Sequence, residues 1–284
     1  MRFSTLAVLG VSAIALSGCS FLSNLTGIGG ADQSYHNQSY GSYHTPRASS
    51  NCCVGGNALS RWNVEGALGG GYLVGGDAIT GSRTNAVLNS NVPNISMQDA
   101  YDDGLRAELG GSYALNPNRK ITGNVFYQQN ESAGVLDWGD LDGAPLTGAL
   151  SDYESYGAEL GLRQYFTPKV YGSNIRLRPY VEGKLGAAKL DDISIENTQL
   201  NGAVLSADPI AFYDGGWVPT AAGMVGIETP IAKRMTLGVE TGIRWQGKPD
   251  SARSDIQPGS PIGGTNNGGQ SWTVPLQVRG RYRF

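Results

Sequence analysis

From residue 60 to the end of the chain, apolar and polar side chains alternate with a period of two, the pattern of strands that present one apolar and one polar face. Segment 61–74 sets Trp62, Val64, Leu68 and Tyr72 against Asn63, Glu65, Ala67 and Gly69. Segment 104–115 sets Leu105, Ala107, Leu109, Tyr113 and Leu115 against Arg106, Glu108 and Ser112. In 121–127, Ile121, Val125 and Tyr127 oppose Thr122, Asn124 and Phe126; in 156–166, Tyr156, Leu160 and Leu162 oppose Glu159, Arg163 and Tyr165. Segments 175–188, 217–228, 235–245 and 272–284 repeat the pattern, with 217–228 the least regular. The alternation predicts eight strands.

The connections decide how the strands are arranged. Long and short ones take turns: 75–103, then Asn116-Pro117-Asn118, then 128–155, then 167–174, then 189–216, then 229–234, then 246–271. Four long loops and three short turns, with both chain ends on the short-turn side, are the layout of an eight-stranded antiparallel up-and-down transmembrane β-barrel. Charge placement points the same way. Glu65, Arg106, Glu108, Glu159, Arg163, Arg176, Arg178, Glu182, Lys184, Glu228, Arg234, Glu240, Arg244, Arg279, Arg281 and Arg283 all share the polar parity of their strands. A soluble sandwich gives no reason for ten cations and six anions to share one face. A barrel in lipid does, because a Lys or Arg facing the bilayer midplane costs about 2–4 kcal/mol. These sixteen residues are expected to form a charge network inside the barrel.

Composition agrees. Glycine is frequent, 42 of 284 residues, which disfavours helix interiors. The net charge of −3 gives no sign of nucleic-acid binding. Beyond the N-terminus, no apolar run approaches the roughly 20 residues of a spanning helix. Met1 and Arg2 precede an apolar run, residues 3–16, as in a secretory signal peptide. That run ends in Leu16-Ser17-Gly18-Cys19, which resembles the lipobox of bacterial lipoproteins and implies acylation of Cys19; ordinary cleavage near Ala13-Ile14-Ala15 is the alternative. Residues 19–59 are rich in Ser, Tyr, Gln, Asn and Gly with little aliphatic pattern, and read as a disordered tether. Cys52-Cys53 closes it, either incidental or able to pair with another chain. The division expected is a signal peptide over 1–18, a lipid-anchored tether over 19–59 and a barrel over 60–284.

The C-terminus, Gln277-Val278-Arg279-Gly280-Arg281-Tyr282-Arg283-Phe284, resembles the assembly signal of outer-membrane barrels through Gly280, Tyr282 and Phe284, although Gly280 is shifted from its commonest position. Residues 60–284 as a whole resemble the small OmpA/OmpX-like barrel families. The resemblance implies a bacterial outer-membrane protein with its N-terminus and short turns in the periplasm and its long loops outside. It also implies contact with outer-membrane lipid and lipopolysaccharide, and with the barrel-assembly machinery during biogenesis.

Barrel enzymes of this compartment resemble one another in placing a His beside a Ser or Asp. Here His36 and His44 lie in the tether and none follows, so no histidine base is available in the barrel. No enzyme and no cofactor is expected. The interior of eight strands is just wide enough for side chains to fill it, which favours a packed ion-pair network. The rival reading is a narrow, anion-preferring pore lined by Arg176, Arg178, Arg279, Arg281 and Arg283; its support is the excess of interior cations, since unpaired buried cations are expensive. The first three long loops are acidic, whereas Arg61, Arg119, Lys120, Lys169 and Lys233 sit at the short-turn end, where cations suit phospholipid headgroups. Asp137, Asp140 and Asp142 form a weak calcium candidate beside the simpler reading of solvated loop acids. The function expected is envelope structure or surface interaction through the loops, with a surface or periplasmic protein as partner.

Overall fold

Alternation gives every strand one face for lipid and one for the interior, and antiparallel neighbours joined by short turns pair in sequence order. In the computed structural model, which describes residues 61–85, 88–171, 175–206, 208–252 and 264–284, this produces strands β1 (Trp62–Gly75), β2 (Gly104–Asn116), β3 (Arg119–Asn130), β4 (Tyr153–Tyr165), β5 (Ile175–Leu190), β6 (Gly216–Pro230), β7 (Met235–Gln246) and β8 (Ser271–Arg283). Each pairs antiparallel with the next, and β1 pairs with β8, in a register running from Val64 opposite Tyr282 to Tyr72 opposite Val274. The eight strands therefore close into a barrel, which leaves no unpaired edge among them. The signal peptide, the tether, Cys19, Cys52 and Cys53 lie outside the described residues.

The outer surface is apolar. Leu160 and Leu185 are each 71% exposed, and Leu109, Val125, Val225, Ile243, Leu276 and Val278 stand out beside them. Aromatic rings border this band at both ends. Trp62 packs on Tyr113 at the short-turn end, with Tyr282 and Phe284 in contact nearby. Tyr127 pairs with Tyr156, and Trp245 with Trp272, at the other end. From Trp62 to Tyr72 a strand rises about 33 Å, and tilted near 40° it spans about 25 Å of membrane, the height of a transmembrane barrel's apolar band. Interior position therefore follows parity, and exterior apolarity follows from the lipid the barrel must face.

The four long loops fold together into a cap. One sheet runs through Asp250–Ser251, Ile210–Asp214, Ile193–Leu200, Ala144–Leu150, Val135–Leu141, Leu88–Val92 and Ser82–Asn85, with Ala203–Val204 beside it, so all four loops contribute strands. Its tight turns are legible chemistry: Asp142-Gly143 and Asn201-Gly202 all have positive φ, as two-residue hairpin turns require. The cap has an apolar core, with Ile79, Trp138, Leu150, Ile195, Phe212 and Tyr213 each at most 2% exposed. Tyr153 and Leu190 are buried in the same core, so β4 and β5 extend past the regular alternation into the cap.

Candidate functional site

Inside the barrel, twelve of the sixteen expected charges meet, and their signs balance. Six cations (Arg106, Arg163, Lys184, Arg244, Arg279, Arg281) face six carboxylates (Glu65, Glu108, Glu159, Glu182, Glu228, Glu240), all buried. Glu108 is the hub, with Arg106 at 3.0 Å, Lys184 at 2.9 Å, Arg244 at 3.0 Å and Arg279 at 2.8 Å. Arg244 also binds Glu159, and Arg279 reaches Glu240 at 2.6 Å. Nearer the short turns, Arg163 bridges Glu65 and Glu182, each at 2.9 Å, while Arg281 binds Glu65 at 3.0 Å and also Glu228. Aromatic rings fill the gaps: the Arg106 guanidinium lies 3.9 Å from the Phe126 ring centre and the Arg163 guanidinium 4.8 Å from that of Tyr180. The Tyr180 hydroxyl donates to Glu240 at 2.6 Å. Taking twelve charges out of water is tolerable only because each meets an opposite charge at hydrogen-bonding distance.

Four expected members are not in this network. Arg176, Arg234 and Arg283 are exposed and Arg178 is half-buried, all at the short-turn mouth. Their parity is right, but they sit at strand ends, where the lumen opens. Parity fixes the face of a side chain and leaves its depth undetermined. Conversely, Lys120, expected among the headgroup cations, is 8% exposed and turns into the lumen, sharing the parity of Thr122. Trp138, the centre of the cap, was also not legible as such; the signal was a lone Trp in an acidic loop. Its indole donates to the Gly148 carbonyl at 3.3 Å and its ring meets Phe212 edge-on at 5.5 Å.

Several strand glycines sit where no side chain would fit. A Cβ at Gly69, Gly110, Gly186 or Gly242 would fall within 2.2 Å of the carbonyl oxygen of a neighbouring strand. These positions permit close backbone approach in a tightly curved barrel. At Gly226 the space is taken by a side chain, the Tyr180 ring.

Asp137, Asp140 and Asp142 are exposed on one hairpin. Asp137 Oδ1 accepts from the Gly139 amide at 2.9 Å, and Asp142 is the first residue of the turn. Among the described residues, no group of three acidic, His or Cys side chains is arranged to hold a metal ion. At the assembly signal, Gly280 lies opposite Gly66 and Leu237, and Tyr282 opposite Val64 and Met235.

A closed eight-stranded antiparallel barrel with a lipid-facing apolar surface, an ion-paired interior and a folded cap belongs to the architecture of the small transmembrane β-barrels. No family model matches the sequence, and no curated protein is similar to it. Among solved structures the chain is similar to Neisserial surface protein A, at 11% identity and TM-score 0.41 over 80% of this chain and 100% of that one. It is also similar to Ail, the attachment invasion locus protein of Yersinia pestis, in complex with the heparin analogue sucrose octasulfate, at 10% identity and TM-score 0.32 over 79% and 99%. A third is the outer membrane protease OmpT from Escherichia coli, at 9% identity and TM-score 0.34 over 80% and 98%. The likeness is one of fold alone.

Proposed function

We propose that this chain is a non-enzymatic outer-membrane barrel whose cap is a surface-interaction module. The observation that carries the reading is the folding of all four long loops into one sheet around a shared apolar core. Loops that only connect strands need no such core, whereas a contact surface gains from fixed shape, because less ordering entropy is lost on binding. The cap exposes Asp102, Asp103, Asp137, Asp140, Asp191 and Asp192, so the partner that fits it carries positive charge. The barrel holds this surface at the membrane, and the acylated Cys19 and the periplasmic tether belong to the same reading. The balanced, packed interior favours this role over a narrow anion-preferring pore.

Orientation is the first test. An epitope inserted at the exposed Asn201-Gly202 turn of the cap should be labelled by antibody on intact cells. The same epitope at Ala232-Lys233, an exposed short turn, should be labelled only after the outer membrane is breached. The opposite pattern would put the cap in the periplasm and overturn the reading.

A further inference from the structure

The interior network is neutral, so the chain's excess of lumen-side cations has to be accounted for elsewhere. It is gathered at the short-turn mouth, in an open cavity of about 770 Å³. Arg61, Lys120, Arg176, Arg178, Arg234 and Arg283 all line it. Among the described residues none of these six forms an ion pair with a carboxylate. The carboxylate in the cavity wall, Glu228, is already bound by Arg281.

The arrangement deepens inward. Arg178, Lys120 and Arg281 surround one buried ring, Tyr165, at 4.3, 5.3 and 5.6 Å from its centre. Lys120 is 8% exposed yet makes no direct ion pair, because the carboxylate that attracts it, Glu65, is already bound by Arg163 and Arg281, and the buried Nε of Arg178 makes no hydrogen bond. The other side of Arg178 is tied down, with Nη2 donating to the Pro117 carbonyl and to Asn118 Oδ1 at 3.2 Å. This orients the guanidinium. A buried cation without an ion-pair partner costs stability, and here Lys120 is held beside the half-buried Arg178 and the buried Arg281. On the neighbouring strand, opposite Lys120, the buried Arg163 is taken up by Glu65 and Glu182.

We propose that this mouth is a binding site for a multivalent oxyanion, a ligand carrying two or more phosphate groups, with Lys120 and Arg178 as its inner contacts and Arg176, Arg234 and Arg283 at its rim. Such a ligand supplies the missing counter-charge and matches the planar donor forks of arginine. The chemistry is shared by a free polyphosphorylated compound and by the phosphates of lipid headgroups reaching around the rim. The proposal depends on the barrel and its interior, and stands whether or not the cap makes surface contacts.

Inorganic pyrophosphate titrated calorimetrically into the folded full chain, in a zwitterionic detergent at fixed ionic strength, tests it. One saturable site is expected. K120Q/R178Q should weaken it at least tenfold, while R119Q/K233Q, which removes two exposed cations that do not line the cavity, should change it less than twofold. Without ligand, K120Q/R178Q should melt no lower than the parent, because it relieves unpaired charge; a purely structural role would lower its melting temperature. Absence of saturable binding to the parent, or equal losses in the two double variants, overturns the proposal. In nanodiscs, a pyrophosphate affinity that falls as anionic phospholipid is added identifies lipid headgroups as the occupant, and an unchanged affinity identifies a free oxyanion.

Discussion

Arg163 shows what a single residue contributes to the plug. It is the cation that Glu182 meets, and it shares Glu65 with Arg281 and Arg279. Arg163→Met would leave Glu182 with the Thr122 hydroxyl as its hydrogen-bond donor, an uncompensated buried carboxylate. Removing one partner of such a pair costs about 3–5 kcal/mol, to be read as a lower urea midpoint in reversible unfolding from lipid vesicles. Adding Glu182→Leu should recover part of that loss, since the orphaned charge then disappears. Arg178→Met, by contrast, should leave the midpoint unchanged or raise it. The two arginines have the same parity, and sequence treats them alike. Charge pairing depends on which residues of other strands stand at the same depth, and this is set by register around the whole barrel. Hence the interior face was legible residue by residue, whereas the division into twelve paired charges and a cluster of unpaired cations was not.

At the scale of elements, the strands and the cap differ in how openly the sequence declares them. Eight barrel strands of 12 to 16 residues carry enough alternating positions for the period to stand out. Most cap strands are shorter, such as Leu88–Val92 and Ile210–Asp214. Their partners come from other loops: Ile195 sits opposite both Leu150 and Ile210. Only the hairpin turns, Asp142-Gly143 and Asn201-Gly202, announce themselves locally. The element most exposed to a single change is the hairpin of Val135–Leu141 and Ala144–Leu150, anchored by Trp138 under Phe212 and Gly148. Trp138→Ala should cost about 3–5 kcal/mol of local stability through the cavity left behind. Limited proteolysis should then cut within 131–152 while the barrel below keeps its heat-modifiable migration on gels. Loss of that migration would show that cap and barrel unfold as one unit.

At the scale of the whole molecule, three layers lie along the lumen: an apolar cap core, a neutral ion-pair plug and a cationic mouth. An arginine-lined conduit was one legible reading of the sequence, because the cation excess was visible and its location was not. With the excess at the mouth, the lumen is closed twice. The plug closes it with side chains as buried as Arg106 and Arg163, both 0% exposed, and the cap closes it with Trp138, Tyr153 and Phe212. A planar bilayer containing the folded protein should therefore show no stable unitary openings. The stronger expectation concerns variants. Arg106→Ser with Arg244→Ser removes two of the three arginines around Glu108 and admits water to the plug, yet conductance should stay silent, because the apolar cap core above excludes ions. Openings should require a second lesion that unseals the cap, such as deletion of 136–149, which removes Trp138 from its core. Conductance from the plug variant alone would mean that the cap is permeable, and transport through the lumen would return as the function to pursue.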